Sequence, residues 1–540
     1  MEVIQNASIE AVVANGTFTS AQTLHDTNLQ TAVSELVAGL TGWQIFLTIL
    51  LLLVGYDQFM YIKWKGPLPG PMFKIPLVGP FIPALYPHFP GYVAKWASGK
   101  LSCVGVFHKF VVMVSERDLA RKAFNSGSYL KPCLVPVAET LLGPSAFVFL
   151  DGKSHVDFRK GLNGLFTRKA LESYLPIQEE VWKEYFDIFV ADSAANGGKP
   201  MPYFGPFREI GCALSCRTFV GYYISDSAVK KIAADFYCIT AALELVNIPL
   251  SLWIPYSKVW LGKRAANNVL HEFAKCAAMS KVNMATGKKP TCIVDRWVLM
   301  MMESKRYTDA IAAGKTDVEK PTVVIRQFDD MEISRTLFTF LFASQDASSS
   351  STTWLFQISA QQPEMLNRIR QEQIEARKGN PDSDLTLDML EGMTFTNAFV
   401  KEVLRYRPPV IMVPYEAKRA YAITPEYTVP KGAMVVPSCY PALHDPEVYP
   451  QPESFDPERW ISGTAEKQTK NWLVFGAGPH QCLAQHYVQL TMVAMIGLAS
   501  VRVEWEHFAT KRSEDIKVFA TLFPMDDCPM VFTKREEVAA

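Results

Sequence analysis

The 540-residue sequence predicts a mainly α-helical body with small β-sheets, preceded by one N-terminal transmembrane helix. Three observations predict it: one strongly apolar run near the N-terminus, helical periodicity through most of the remainder, and extended runs that are short and scattered. Composition narrows the class further. Hydrophobic residues make up 49% of the chain and charged residues 20%, which excludes a disordered or fibrous protein. With 54 basic and 54 acidic side chains the formal charge is zero, so no basic excess exists to neutralise a phosphate backbone and no nucleic acid partner is expected. The 33 Phe, 20 Tyr and 11 Trp suffice to line a large apolar pocket as well as fill a core. Ten cysteines without a CxxC pair are too sparse for a disulfide scaffold and read as reduced thiols of a cytosol-facing domain.

Taken in order, residues 1–35 form a short polar tail carrying two glycosylation sequons, Asn6-Ala7-Ser8 and Asn15-Gly16-Thr17. Residues 36–56 follow, with Gln44 as their only strongly polar member, and they are long enough to cross a hydrocarbon core. Trp43 and Tyr56 stand near the two ends, where amphipathic rings prefer the interface. A signal peptide fits badly, because the run begins deep in the chain without a basic leading region; a buried core helix is the other reading. No Lys or Arg precedes the run, whereas Lys63, Lys65 and Lys74 follow it, which places the body in the cytosol and the tail in the lumen. Residues 57–71 end in Gly66-Pro67-Leu68-Pro69-Gly70-Pro71, a stiff hinge, since proline fixes φ and blocks helix continuation. From 72 to 540 neither linker, repeat nor low-complexity tract appears, so one large domain is expected. Its helices are predicted near 160–195, 226–246, 262–286, 325–360 and 364–378, and its strands within Leu101–Val114 and Ala433–Pro437.

The strongest chemical signal lies between Trp472 and Gln485. Two glycines and a proline make an irregular loop, and a long apolar helix begins at or beside Cys482. A thiol at a helix N-terminus is favoured as thiolate, the form that binds metal. One cysteine cannot hold zinc alone, but it can be the single axial ligand of haem iron. The glycines let the backbone approach a flat ring closely, and His480 can donate to a propionate. An inert buried cysteine is the ordinary alternative, and the spacing of Phe475, Gly478, His480 and Cys482 argues against it.

That spacing resembles the haem-binding loop of the cytochrome P450 family, and further elements stand in the family's order from the proline-rich hinge to near the C-terminus. The resemblance implies the cytochrome P450 fold, haem b ligated by the Cys482 thiolate, and electrons from NADPH through cytochrome P450 reductase. Alone, Glu402 and Arg405 would be a solvated helix-surface pair worth little. With Arg459 of Pro457-Glu458-Arg459-Trp460, the resemblance implies a buried cluster bracing the thiolate loop. The apolar helix around Leu337–Thr353 is interrupted by an acid and a run of hydroxyls, which by themselves could serve close helix packing or return bonds to the i−4 carbonyl. The family reading makes it the helix across the distal haem face, with Asp346 and Ser348 delivering protons. Ser344 stands where the family has glycine and Ala347 where it has threonine, so Ser349 or water could also supply the hydroxyl. In Gly152–Lys160, His155 and Arg159 occupy the positions that reach a haem propionate, against the reading of a basic surface turn; Arg binds carboxylate in a fork.

Within the family, the words FASQDASSSSTTWLFQ, FGAGPHQCLAQ and RPPVIMVPY are similar to the fungal branch that desaturates sterol side chains at C-22, with Ala484 departing from the usual glycine. This implies a late sterol intermediate as substrate and a single-pass location in the endoplasmic reticulum membrane. It also implies a pocket lined by Phe338, Phe342, Ala343, Val410, Ile411 and Met412. Two other readings stay open: a sterol 14-demethylase or other hydroxylase, and a sterol-binding haemoprotein without catalysis.

Overall fold

The computed structural model describes residues 41–74, 89–106, 109–133, 136–243, 249–380, 383–518 and 521–535. The tail with Asn6 and Asn15, and the start of the apolar run, lie outside the described residues. The first helix, α1, spans Gly42–Lys65. It continues past the predicted end at Tyr56 because neither glycine nor proline occurs between Tyr56 and Gly66, which caps it at φ +50°. At 24 residues it is about 36 Å long, enough to cross a bilayer, and its apolar window is almost wholly exposed.

Its C-terminal turns do not end in a free hinge. Tyr61 and Trp64 set their rings edge-on against Phe110, with centroids 5.8 and 5.9 Å away. The Tyr61 hydroxyl donates to the Pro71 carbonyl at 2.9 Å, and Lys74 pairs with Asp57 at 2.6 Å. The proline segment therefore folds back along the helix and joins it to the body.

The body's helices are α2 (Phe89–Ala97), α3 (Arg117–Phe124), α4 (Pro136–Leu142), α5 (Gly152–Asn163), α6 (Arg168–Ala195), α7 (Phe204–Val220), α8 (Asp226–Ala242), α9 (Lys258–Ala285) and α10 (Ile293–Ala312). They continue with α11 (Asp330–Gln361), α12 (Pro363–Ala376), α13 (Leu387–Gly392), α14 (Thr394–Tyr406), α15 (Cys439–Leu443), α16 (Thr464–Lys467) and α17 (Gln485–Arg502). The stretch predicted as one helix over 160–195 is two, broken by a single 3-10 turn at Gly164–Phe166. The central helix α11 starts from a capping box in which Asp329 accepts from Glu332 N–H and the Glu332 carboxylate accepts from Asp329 N–H. It packs against α7 and α9, while α17 crosses between α6, α12 and α14.

The largest sheet sets β1 (Leu101–Val106) and β2 (Lys109–Val114) as a hairpin beside β8 (Met434–Pro437), β5 (Tyr415–Ala417) and β3 (Leu130–Pro132). β2 and β8 run parallel with Val112 opposite Val435, and the other pairs are antiparallel. The remaining strands, β4 (Met201–Pro202), β6 (Tyr421–Thr424), β7 (Tyr427–Val429), β9 (Val503–His507), β10 (Ile516–Val518), β11 (Leu522–Pro524) and β12 (Pro529–Lys534), make three small sheets. Helices thus dominate and sheets are small and peripheral, as the sequence predicts. The core runs continuously through α6, α7, α11, α14 and α17.

Candidate active site

An internal cavity of about 480 Å³ lies between α11 and the loop that precedes α17. That is within the roughly 300–1,000 Å³ of ordinary small-molecule sites. Its wall is mostly apolar, with Phe340, Ala343 and Ala347 on one side and Cys482 on another. Helix phase decides which residues of α11 face it, since each step turns about 100°. Phe340, Ser344, Ala347 and Ser351 share the cavity face. Phe342, Ala343, Ser348 and Val410 also reach it. Phe338 does not: it points into the fully buried core behind the helix. Ile411 and Met412 are likewise absent from the wall and pack instead in a second apolar cluster with Trp96 and Val104, so three predicted pocket residues are corrected to core residues.

The loop carrying Cys482 is shaped by backbone contacts. Gly476 and Gly478 adopt φ +69° and +72°, and a Cβ on Gly478 would stand 2.5 Å from the Phe124 carbonyl oxygen. Any side chain there would push the loop off α3. Cys482 N–H donates to the Phe475 carbonyl at 2.9 Å, which turns the thiol toward the cavity. Cys482 is exposed only in the sense that it opens onto this interior space; burial pushes its thiol pKa up, while the Ala484 N–H and nearby Arg159 oppose that rise.

The remaining wall tests whether haem fits. Arg159 lines the cavity and makes no hydrogen bond or ion pair among the described residues. Burial lowers its pKa, which is the mark of a cation held without a counter-ion. His155 and His480 lie beside it with ring centroids 4.0 Å apart. Burial, then the neighbouring His155, pushes His480 down to about 4, so it is neutral at pH 7 and offers an N–H donor. Asp151 lies 3.8 Å from His480 Nε2 and is held more closely by Lys418, at 2.5 Å. This rim suits a bound carboxylate such as a propionate. Among the described residues no group of three His, Cys, Asp or Glu could hold a bare metal ion. One sulfur ligand in an apolar cavity with an unpaired arginine at its edge therefore fits a macrocycle that brings its own remaining ligands.

Behind the loop lies a buried polar cluster. Glu402 accepts from Arg405 Nε and Nη2, both at 2.8 Å, from Arg459 Nε at 3.0 Å and from Trp460 Nε1 at 2.9 Å. The Asp456 N–H completes it at 3.0 Å. Arg405 spends its other donors on the carbonyls of Leu443, Pro452 and Ser454. A chain of rings carries this anchor to the thiol loop: Trp460 meets Trp472 at 5.5 Å, and Trp472 meets Phe475 at 5.4 Å. Both tryptophans stand in segments singled out by sequence, but their role as links shows only in the fold, which brings the two rings together across eleven intervening residues.

Asp346, expected to deliver protons with Ser348, does not itself line the cavity. Its carboxylate turns toward the neighbouring helices, ion-paired to Arg208 of α7 and accepting from Thr240 Oγ1 of α8 at 2.9 Å. Ser348 does face the cavity and makes no hydrogen bond among the described residues. Ser349 is buried and donates to the Gln345 carbonyl at 2.6 Å, which removes it as a free hydroxyl. Arg208 and Thr240 were not legible in the sequence, lying 138 and 106 residues from Asp346.

The profile of the cytochrome P450 family matches residues 71–516. The chain is 62% identical over 522 residues to "C-22 sterol desaturase ERG5B" of Gibberella zeae, covering 97% of both chains. It is also 62% identical over 494 residues to "Cytochrome P450 monooxygenase oblE" of Emericella variicolor, covering 92% of this chain and 93% of that one. Among solved structures, retinoic acid-bound cyanobacterial CYP120A1 superposes with a TM-score of 0.71 at 21% identity, covering 87% of this chain and 99% of that one, a likeness of fold. The sulfur at the cavity floor, the unpaired arginine at its rim and a match across most of the length agree: the chain belongs to the cytochrome P450 family, whose cofactor is haem held by a cysteine thiolate.

Proposed function

We propose that the chain is a membrane-anchored sterol C-22 desaturase, acting on a late sterol intermediate with electrons from NADPH through cytochrome P450 reductase. The observation that carries the reading is an apolar cavity open to Cys482, in a chain similar over nearly its whole length to a C-22 sterol desaturase. Bound at Cys482, haem supplies dioxygen activation, with Arg159, His155 and His480 holding its carboxylates. Overall, one sterol, one dioxygen, one NADPH and one proton give the C-22 olefin, NADP+ and two waters.

The chain's own part is positioning and proton supply. Phe340, Phe342, Val410 and Val413 offer no hydrogen bond to an alkyl side chain, so they orient it by shape. Presenting hydrogens on both C-22 and C-23 in sequence is what separates desaturation from hydroxylation. Asp346 draws protons from the side of α7 and α8, and Ser348 passes them to the cavity. Ala347, at the middle of the cavity face, leaves space rather than a hydroxyl there. The exposed apolar helix α1, with Lys63 and Lys65 in its last turn, supports anchoring in the endoplasmic reticulum membrane with the body in the cytosol.

The monooxygenase relative at equal identity favours a second reading, a hydroxylase on the same cavity. Product analysis separates them. The full-length protein, incubated with reductase, NADPH and a late sterol saturated at C-22, should yield the C-22 olefin. A stable alcohol or a 14-demethylated product would replace the reading with the second, and absence of any NADPH consumption would leave a haemoprotein without catalysis.

A further inference from the structure

A second pocket, of about 580 Å³, opens between the end of α4, the middle of α9 and the start of α11. Among the described residues it shares no wall residue with the cavity over Cys482. Its wall combines the apolar side chains of Leu141, Leu270 and Met331 with Lys263, His271 and Arg335. No carboxylate belongs to its wall among the described residues.

The acids on the surrounding helices are engaged elsewhere or turned away. On α11, Asp330 pairs with Lys281 at 2.7 Å and Glu332 with Arg326 at 2.8 Å. On α9, Glu272 pairs with Lys275 at 2.9 Å. On α4, Glu139 is exposed and outside the pocket. Lys263 is pinned across the pocket by donating to the Thr140 carbonyl at 2.7 Å, and neither it, His271 nor Arg335 has an ion-pair partner among the described residues. Burial, then the charge of Arg335, pushes the Lys263 ammonium pKa down. Arg335 also helps to hold the Glu332 carboxyl low, but that acid is paired with Arg326 and lies off the pocket wall. Inside the pocket the two cations repel each other, and a bound anion removes that repulsion.

The size and the apolar side select among anions. A lone phosphate would leave most of the space and all of the apolar side unused. The segment entering α9 carries Trp253 and Tyr256, 79% and 81% exposed, and such rings favour a lipid interface. We propose that this pocket binds an anionic phospholipid, its phosphate between Lys263 and Arg335 and its acyl stem along Leu141, Leu270 and Met331. The site is independent of the reaction at Cys482.

Titration calorimetry on the full-length, haem-loaded protein in uncharged detergent tests it, with dihexanoyl phosphatidic acid, dihexanoyl phosphatidylcholine and inorganic phosphate as probes. Phosphatidic acid should bind saturably. Lys263→Gln and Arg335→Gln should each weaken it roughly fivefold, as expected for one cation beside an anionic headgroup, and Lys263→Arg should preserve it. Phosphatidylcholine and inorganic phosphate should each bind at least about tenfold more weakly, the first for lack of net charge and the second for lack of an acyl stem. Unchanged phosphatidic acid binding in the double variant, or equal binding of phosphatidylcholine or inorganic phosphate, would overturn the proposal. Arg335 is exposed, so Arg335→Gln carries the test alone if the double variant does not fold, with the haem absorption spectrum reporting folding.

Discussion

Glu402 is fully buried and satisfied by two guanidinium groups, an indole N–H and a backbone N–H. Removing one partner strands charge in a dry interior, at a cost of roughly 3–5 kcal/mol. Glu402→Ala or Arg405→Ala should therefore yield protein without haem, read as loss of the haem absorption band. A normal spectrum from either variant would remove the cluster's bracing role. His444 makes a second residue-scale prediction. Burial, then Arg405, pushes its pKa to about 3, while in an unfolded chain it titrates near 6.5. The folded state therefore binds fewer protons across that interval, so stability falls as pH drops from about 6.5 toward 3, by about 2 kcal/mol between pH 6.5 and 5. Thermal unfolding of wild type and His444→Gln at pH 7 and pH 5 should show the larger acid loss in wild type. Asp346→Asn should keep folding and haem yet slow turnover by about a hundredfold, the lower end of what a positioned proton donor contributes. Wild-type turnover in that variant would show that protons arrive by another path. Cys482, Glu402 and Arg405 are legible because their partners recur at fixed short spacing. Arg208 and Thr240 are not, because only the packing of three helices brings them to Asp346.

The helices themselves show where periodicity succeeds and where it stops. The predicted spans over 226–246, 262–286 and 325–360 correspond to α8, α9 and α11 with shifted ends. Facing is harder. In α11 most positions between 333 and 359 are buried and nearly all of the rest line the cavity, so no solvent-facing polar side marks which face meets it, and Phe338 is indistinguishable from Phe342 by pattern. Close approach is likewise invisible until the helices pair. Gly262 of α9 lies against α8, where a Cβ would stand 2.5 Å from the Ala242 Cβ and 2.8 Å from the Cys238 carbonyl oxygen. Gly262→Ala should push α8 outward and cost about 1–3 kcal/mol, seen as a lower thermal midpoint. Because α8 carries Thr240, that variant should also lose turnover more than its haem content falls.

Across the whole molecule, anchor and body behave as one piece. Proline content alone suggests a hinge over 57–71, yet Tyr61 and Trp64 pack on Phe110, and the Tyr427 hydroxyl donates to the Trp64 carbonyl at 2.7 Å. A chain beginning at residue 57 keeps these contacts and should retain the thermal midpoint of the full protein. A chain beginning at residue 72 uncovers Phe110 and should lose roughly 1.5–3 kcal/mol for each buried aromatic removed. Equal midpoints would show that the docking contributes nothing. The central claim is that the sulfur of residue 482 binds haem iron in the cavity under α11. The carbon monoxide difference spectrum of the reduced full-length protein tests it most directly. Wild type should show the long-wavelength Soret band of a thiolate ligand, and Cys482→Ser should lose it. A wild-type band at the shorter wavelength of imidazole-ligated haem, or a folded protein without haem, would contradict the account.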